Sequence, residues 1–235
     1  MKYNKSDKYN SLIDMIMGPN PLKLDEELLE DTPLKEGSVV CDLGSGNGLT
    51  SIFLRNEYGF NVYATDLWSE PVENINNFQK RNISVENITF VKADANSLNY
   101  ANNFFDAIIA TDSYNYYGCN KNFLEEKILP FIKKDGYLYI SVAGMKNVNK
   151  EYPKELFLSW TEEQLEYIKT IDYWKEIIQN SKGINIIKIE EMEVGDEAWL
   201  DWVKLDNEYA INDRKAIYNG ALKYLCFIKI ILQKK

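Results

Sequence analysis

Val40-Cys41-Asp42-Leu43-Gly44-Ser45-Gly46-Asn47-Gly48-Leu49-Thr50 is the stretch on which the reading of this chain turns. The apolar run from Ser38 has the length of a buried strand and ends in glycines at every second position. Glycine lets the backbone bend sharply and lets a ligand approach with no Cβ in the way. Leu49, Ile52 and Phe53 then recur at helical spacing, so a helix N-terminus with free N–H groups faces whatever the bend holds. Strand, glycine bend and helix together make the opening unit of an open α/β sheet.

The same alternation continues outward. Residues 60–65 read as a second strand closed by Asp66, with Ser69 as N-cap and Pro71 in the first turn of the next helix. A third strand over 87–91 leads to Asp94, and a fourth over 105–110 leads to Thr111-Asp112-Ser113-Tyr114. Residues 121–133 predict a helix broken near Pro130, and Asp135-Gly136 predicts a turn into a fifth strand, 137–142. Upstream, 9–17 predicts an amphipathic helix, Gly18-Pro19-Asn20-Pro21 breaks it, and 22–30 predicts a second. Downstream lie a capping box at Thr161 and Gln164, a helix over 173–180, a strand over 184–189, a mostly helical 195–218 and a closing strand, 223–233. This pattern specifies an α/β fold, doubly wound, with a mostly parallel sheet and helices on both faces. Such sheets bind ligands beyond the C-terminal strand ends, where Asp42, Asp66, Asp94 and Asp112 fall.

Composition narrows the function classes. Of 235 residues 45% are apolar, which supplies one core and argues against disorder. The net charge of −9 repels phosphate backbones, so nucleic acid is not an expected partner. Histidine is absent, which removes His-based triads and the common His metal sites. Cys41, Cys119 and Cys226 form no C-x-x-C pair, so neither a disulfide framework nor a metal site is expected. The first ten residues lack an apolar signal core, and the longest apolar stretch, 224–232, is too short for a bilayer and contains Lys229. The expectation is a cytoplasmic protein with no membrane partner, monomeric or homodimeric. One domain spans 1–235: a helical cap over 1–36, a binding core over 37–145, and a substrate-side, sheet-closing part over 146–235.

Nicotinamide enzymes use G-x-G-x-x-G to cradle a pyrophosphate. Here the spacing is G-x-G-x-G, and Leu49 stands where the third glycine would fall. In this form 40–50 resembles the first motif of the class I, Rossmann-like S-adenosylmethionine-dependent methyltransferases, and the resemblance runs over about 38–142. It implies a seven-stranded sheet in the order 3-2-1-4-5-7-6 with the last strand antiparallel. It implies that Asp42, Gly44, Ser45, Gly46, Asn47 and Gly48 form the loop for the methionine part of S-adenosylmethionine. Asp66, followed by Leu67 and Trp68, matches the acidic position that binds the ribose hydroxyls. Asp94-Ala95 matches the position facing the adenine amine. Thr111 and Asp112 to Tyr114 match the loop beside the sulfonium. Met17-Gly18-Pro19-Asn20-Pro21 resembles the segment that, in a bacterial small-molecule subgroup, folds over the cofactor, which adds Gly18. S-adenosylhomocysteine is the implied product, and a small molecule the implied methyl acceptor.

Methyl transfer from a sulfonium asks the protein mainly for alignment and a dry pocket. Any proton goes to Asp, Glu, Tyr, Lys or water, and Asp112, Tyr114 and Tyr117 are the candidate catalytic residues. The tyrosines and tryptophans suit a cationic or aromatic acceptor. Second readings stand beside these. Asp42 either touches the ligand or orients the bend, and Asp94 is either a ligand or a turn residue. Asp106 is a turn partner, Trp199 and Trp202 are packing residues before they are cage walls, Tyr114, Tyr116 and Tyr117 are either core or rim aromatics or substrate contacts, and Glu26-Glu27 and Glu162-Glu163 are solvated helix faces. The competing functions are an NAD-dependent oxidoreductase on a similar fold, a methyltransferase of RNA or protein, and a non-catalytic S-adenosylmethionine-binding protein.

Overall fold

A computed structural model describes residues 3–146 and 151–235; Met1 and Lys2 of the expected cap and residues 147–150 of the substrate-side part lie outside it. Seven strands form one sheet: β1 (Val39–Leu43), β2 (Asn61–Asp66), β3 (Ile88–Lys92), β4 (Phe105–Thr111), β5 (Ile132–Met145), β6 (Ile184–Glu191) and β7 (Leu225–Lys234). Their order is β3-β2-β1-β4-β5-β7-β6. The first five pair in parallel, and β7 runs antiparallel to both β5 and β6. The expected topology is therefore the observed one.

Side-chain alternation builds a core on each face. Val40, Ala107 and Tyr139 face one cluster, while Cys41, Ile108, Leu138 and Ile140 face the other. The first cluster is covered by α1 (Pro21–Leu28), α2 (Leu49–Tyr58), α3 (Pro71–Lys80), α6 (Gly195–Trp202) and α7 (Glu208–Tyr218). The second is covered by α5 (Ile171–Gln179) and a π-helical turn, Leu124–Ile128.

Local chemistry sets the helix ends. Asn20 accepts from the Leu22 N–H at 3.1 Å and Pro21 opens α1, so the helix starts one residue before its expected place. Upstream of it lies a 3-10 helix, Ser6–Met15, where an amphipathic α-helix was expected. Ser69 is not the cap of α3: its N–H donates to Asp66 Oδ1 and Glu70 takes the cap position. The expected helix over 121–133 is only the π turn and a 3-10 turn, Leu129–Phe131, because Pro130 has no N–H to continue it. β5 then begins at Ile132, and the turn at Asp135-Gly136 becomes a register shift opposite Phe105–Ala107. The capping box at Thr161 and Gln164 opens α4 (Glu162–Leu165) as expected. Asp106 is a structural partner, accepting from the Val39 N–H and from Lys133 Nζ.

The expectation for the acidic pair of α1 is overturned as well. Glu26 and Glu27 are buried, 6% and 2% exposed, instead of forming a solvated face. Glu26 accepts three N–H bonds, from Asn4, Lys5 and Ser6, and so anchors the N-terminal segment. Glu27 accepts from the N–H groups of Glu193 and Val194 and pairs with Lys229 Nζ at 2.9 Å. Carboxylates this deep are accommodated because N–H donors replace most of the hydrogen bonds they give up in leaving water.

Candidate active site

The glycine bend and the loops that follow β2, β3 and β4 come together around cavities at the C-terminal ends of the parallel strands, where the resemblance leads one to expect a site. After β1 the chain passes through the glycine bend into α2. Gly44 has φ +83, the left-handed region, and a Cβ there would stand 2.4 Å from the Ser113 Cβ. Only glycine lets the β1 bend and the loop after β4 approach this closely. The bend is tied to β2 from outside: Gly44 N donates to Thr65 O at 2.8 Å, and Gly46 N to Asp66 Oδ2 at 2.9 Å. Asp66 Oδ1 takes the N–H groups of Trp68 and Ser69, so one carboxylate fixes two loops.

Three connected chambers open around this bend. The first, about 500 Å³, is bounded by Gly44, Gly46, Asp66, Leu67, Trp68, Asp94, Ala95, Ser113 and Tyr117. The second, about 100 Å³, lies between the bend and the N-terminal turn and is bounded by Gly18, Ser45, Asn47, Thr111 and their neighbours. The third, about 350 Å³, extends toward α6 and α7. Met17 and Asp112 border all three, so they stand at the junction.

The predicted residues therefore divide. Gly18, Gly44, Ser45, Gly46, Asn47, Asp66, Leu67, Trp68, Asp94, Ala95, Thr111, Asp112 and Tyr117 all border a chamber. Asp42, Gly48 and Tyr114 do not. Asp42 is buried under the bend and accepts from Thr50 Oγ1 and Ser51 Oγ, both at 2.6 Å; of its two readings, orienting the bend is the one this geometry carries. Gly48 is the left-handed N-cap of α2, and a Cβ there would meet Phe90 at 2.6 Å. Tyr114 is a correction: it is 2% exposed and packs its ring on Tyr117, Phe123 and Trp174 in the core. The chain makes a 3-10 turn at Tyr114–Tyr116, which sends Tyr114 inward and Tyr116 outward to the chambers.

Burial tunes the carboxyls. Asp112 has φ +50 and is pushed up to about 7 by desolvation and by the nearby Asp213, against the stabilising Ala143 N–H. Asp42 is pushed up to about 6 by desolvation, although the Ser51 and Thr50 hydroxyls favour its charged form. Asp25 of α1 lies beneath the site, accepts from Thr111 Oγ1, and is raised well above the usual carboxylate range by burial and by Asp42. Asp94 is held below the usual range by the backbone and side-chain N–H groups of Asn96. Burial drives the Tyr117 hydroxyl far upward, so it is a donor; its oxygen lies 3.0 Å from Ser113 Oγ.

The third chamber was legible only through its aromatic residues, not as an enclosed site. Its walls include Tyr116, Trp160, Tyr167, Trp199, Trp202 and Tyr209, with Asp112 and Asp213 as the carboxylates. Trp202 Nε1 donates to Asp213 Oδ2 at 2.9 Å. Trp199 and Trp202 are thus packing residues and cavity walls at once. Met17 was present only as the first residue of the Gly-Pro turn. Asn115 and Asp213 carried no sequence signal, and Gln164 only that of a capping box, because nothing local marks a polar residue that tertiary contacts bring to a cleft.

A nucleoside linked to a charged amino acid fits these residues. The bend offers bare backbone and the buried Ser45 Oγ, which has no hydrogen-bond partner among the described residues. A carboxylate has about four lone-pair sites. Asp66 uses three of them internally and keeps capacity for a hydroxyl at the chamber wall. Among the described residues no group of His, Cys, Asp or Glu is arranged to hold a metal ion.

Comparison with known proteins bears on this arrangement. A sequence model described as a methyltransferase domain matches residues 34–190. A phosphoethanolamine N-methyltransferase of Plasmodium falciparum is 24% identical over 244 residues, covering 98% of this chain and 82% of that protein. Among solved structures, the Haemonchus contortus phosphoethanolamine N-methyltransferase 2, in complex with phosphomonomethylethanolamine and S-adenosylhomocysteine, superposes with a TM-score of 0.71 at 16% identity, over 100% of this chain and 60% of that one. The geranyl diphosphate C-methyltransferase of Streptomyces coelicolor superposes with a TM-score of 0.68 at 12% identity, over 89% and 74% of the two chains.

Proposed function

The chain belongs to the methyltransferase domain family and is an S-adenosylmethionine-dependent enzyme; on that premise we propose that it methylates a small molecule held in the chamber beyond Asp112. When bound, S-adenosylmethionine supplies an electrophilic methyl group: the acceptor's lone pair forms a bond to the methyl carbon, the S–C bond breaks, and its electrons stay on sulfur in S-adenosylhomocysteine. The family assignment leaves no support for the NAD-dependent alternative.

In this reading Asp66, with Leu67 and Trp68, takes the ribose and one face of the adenine. Asp94 and Ala95 close the far end of the same chamber. Gly44, Ser45, Gly46, Asn47 and Thr111 hold the amino-acid end, and Asp42 and Gly48 support them from below. Met17 and Gly18 lie over the junction, an arrangement that also supports the bacterial small-molecule subgroup as the finer placement. Asp112 serves the acceptor side, by positioning the acceptor or taking its proton, and Tyr117 borders the nucleoside chamber behind it. Tyr114 supports Tyr117 through its ring contact.

The observation that carries this proposal is the meeting of three chambers at Met17 and Asp112, one sized for a nucleoside, one for a short polar chain and one for a separate small molecule. Among the described residues the three cysteines are free, which fits the reducing cytoplasm.

Calorimetry with S-adenosylhomocysteine tests the assignment. The protein should bind it, and Asp66→Ala should lose about 1.5–3 kcal/mol, roughly ten- to a hundredfold in affinity, the worth of hydrogen bonds to a charged group. Equal affinity in the variant removes Asp66 from the site, and no binding by the parent chain removes the reading.

A further inference from the structure

The acceptor chamber has a charge pattern of its own. Two carboxylates, Asp112 and Asp213, border it, and no Lys or Arg does among the described residues. Asp213 helps raise Asp112, and burial raises Asp213 itself while the indole N–H groups of Trp202 and Trp160 favour its charged form. Around them stand aromatic faces. Trp160 and Trp199 meet edge to face at 5.7 Å, and Tyr116 and Tyr167 lie 5.4 Å apart. A third feature points to a missing ligand. Asn115 is 3% exposed and borders the chamber, and its Oδ1 has no hydrogen-bond partner among the described residues. Trp199 Nε1, 5% exposed, has none either. A buried amide oxygen left unpaired costs about 1–3 kcal/mol, so a donor is called for there.

We infer that the methyl acceptor is a small organic ammonium that carries no phosphate or carboxylate group, held between Asp112 and Asp213 within the Trp–Tyr walls. This rests on the methyltransferase reading above and specifies its acceptor. The chemistry is selective on two counts. Aromatic faces attract a cation through their quadrupoles, and the attraction strengthens where water is excluded. Two carboxylates in a low-dielectric cavity welcome one positive charge and repel any anion attached to it. An ammonium nitrogen has no lone pair until it gives up a proton, and Asp112, at the junction with the donor chambers, is the carboxylate placed to receive it. Asn115 and Trp199, each with a polar atom unpaired among the described residues, stand in the wall around that group.

The test compares three matched probes by calorimetry on the full chain saturated with S-adenosylhomocysteine. Choline carries the cation; 3,3-dimethylbutan-1-ol is its neutral isostere; phosphocholine carries the cation with a phosphate. Choline should bind at least about tenfold more tightly than either of the others. Asp213→Asn keeps an acceptor for the two indoles and should weaken choline about tenfold or more while S-adenosylhomocysteine affinity stays unchanged. Phosphocholine or the neutral isostere binding as tightly as choline overturns the inference and leaves the methyltransferase reading intact. So does binding of none of the three. Failure of S-adenosylhomocysteine itself to bind overturns both.

Discussion

Replacing Gly44 by Ala separates two costs that usually arrive together. Gly44 and Gly37 share the same backbone angle, φ +83, but differ in surroundings. A Cβ at Gly37 meets nothing within 4 Å, whereas one at Gly44 stands 2.4 Å from the Ser113 Cβ and 2.6 Å from its Oγ. Holding an L-residue in the left-handed region costs about 1–2 kcal/mol, and Gly37→Ala should lose that much and no more. Gly44→Ala bears the same cost plus an overlap that no flexible side-chain end can relieve. Ser113 Oγ is fixed to Leu43 O at 2.7 Å, so the β4 loop must move as a piece. Overpacking of this kind costs about 1–3 kcal/mol, bringing Gly44→Ala to roughly 2–5 kcal/mol in total. Because Gly44 and Ser113 both border the nucleoside chamber, the displacement should also weaken S-adenosylhomocysteine at least about tenfold. Urea unfolding of the two variants, analysed by linear extrapolation, gives the first difference, and calorimetry gives the second. Equal stability of the two variants, or equal affinity, would refute the argument that close approach at the bend is what requires glycine.

The remaining predictions concern charge. Burial pushes Asp42 and Asp112 up to about 6 and about 7, against 3.8 for the free group, and raises Asp25 well above the usual carboxylate range. Groups raised in this way favour the folded state while protonated, so their contribution is present below about pH 4 and is lost as pH climbs through 6 to 7. The urea midpoint should therefore fall between about pH 5 and pH 8, and Asp42→Asn should flatten that slope; a midpoint independent of pH contradicts the burial argument. Glu27→Ala leaves Lys229 buried without its deep partner and should cost about 3–5 kcal/mol by the same unfolding measurement, against nearly nothing for the exposed Glu163→Ala. Asp112→Asn should lower methyl transfer, followed with labelled S-adenosylmethionine, far more than it lowers S-adenosylhomocysteine affinity; matched losses would make Asp112 a cofactor ligand only. In the parent enzyme kcat/KM should rise with pH through about 7, as Asp112 ionises and becomes able to take a proton.

Sequence by itself determined what depends on neighbours along the chain. The glycine bend, the acids at strand ends and the alternation of strand and helix are local patterns; they led to the α/β class, and the family resemblance they carry implied the sheet order and the cofactor side of the cleft. The Thr161 capping box was legible for the same reason. Tertiary structure decided whatever depends on distant partners. Glu26 and Glu27 look like any solvated pair, and only the fold shows that their donors come from 20 to 202 residues away. The phase of one 3-10 turn put Tyr116 in the cleft and Tyr114 in the core, a choice of rotation that three tyrosines in four positions do not encode. The acceptor chamber is drawn from Met17, Asn115, Trp160, Trp199 and Asp213, which only packing brings together. Its charge is a property of that assembly, since the field at a buried point is set by which groups surround it and how little water remains to screen them.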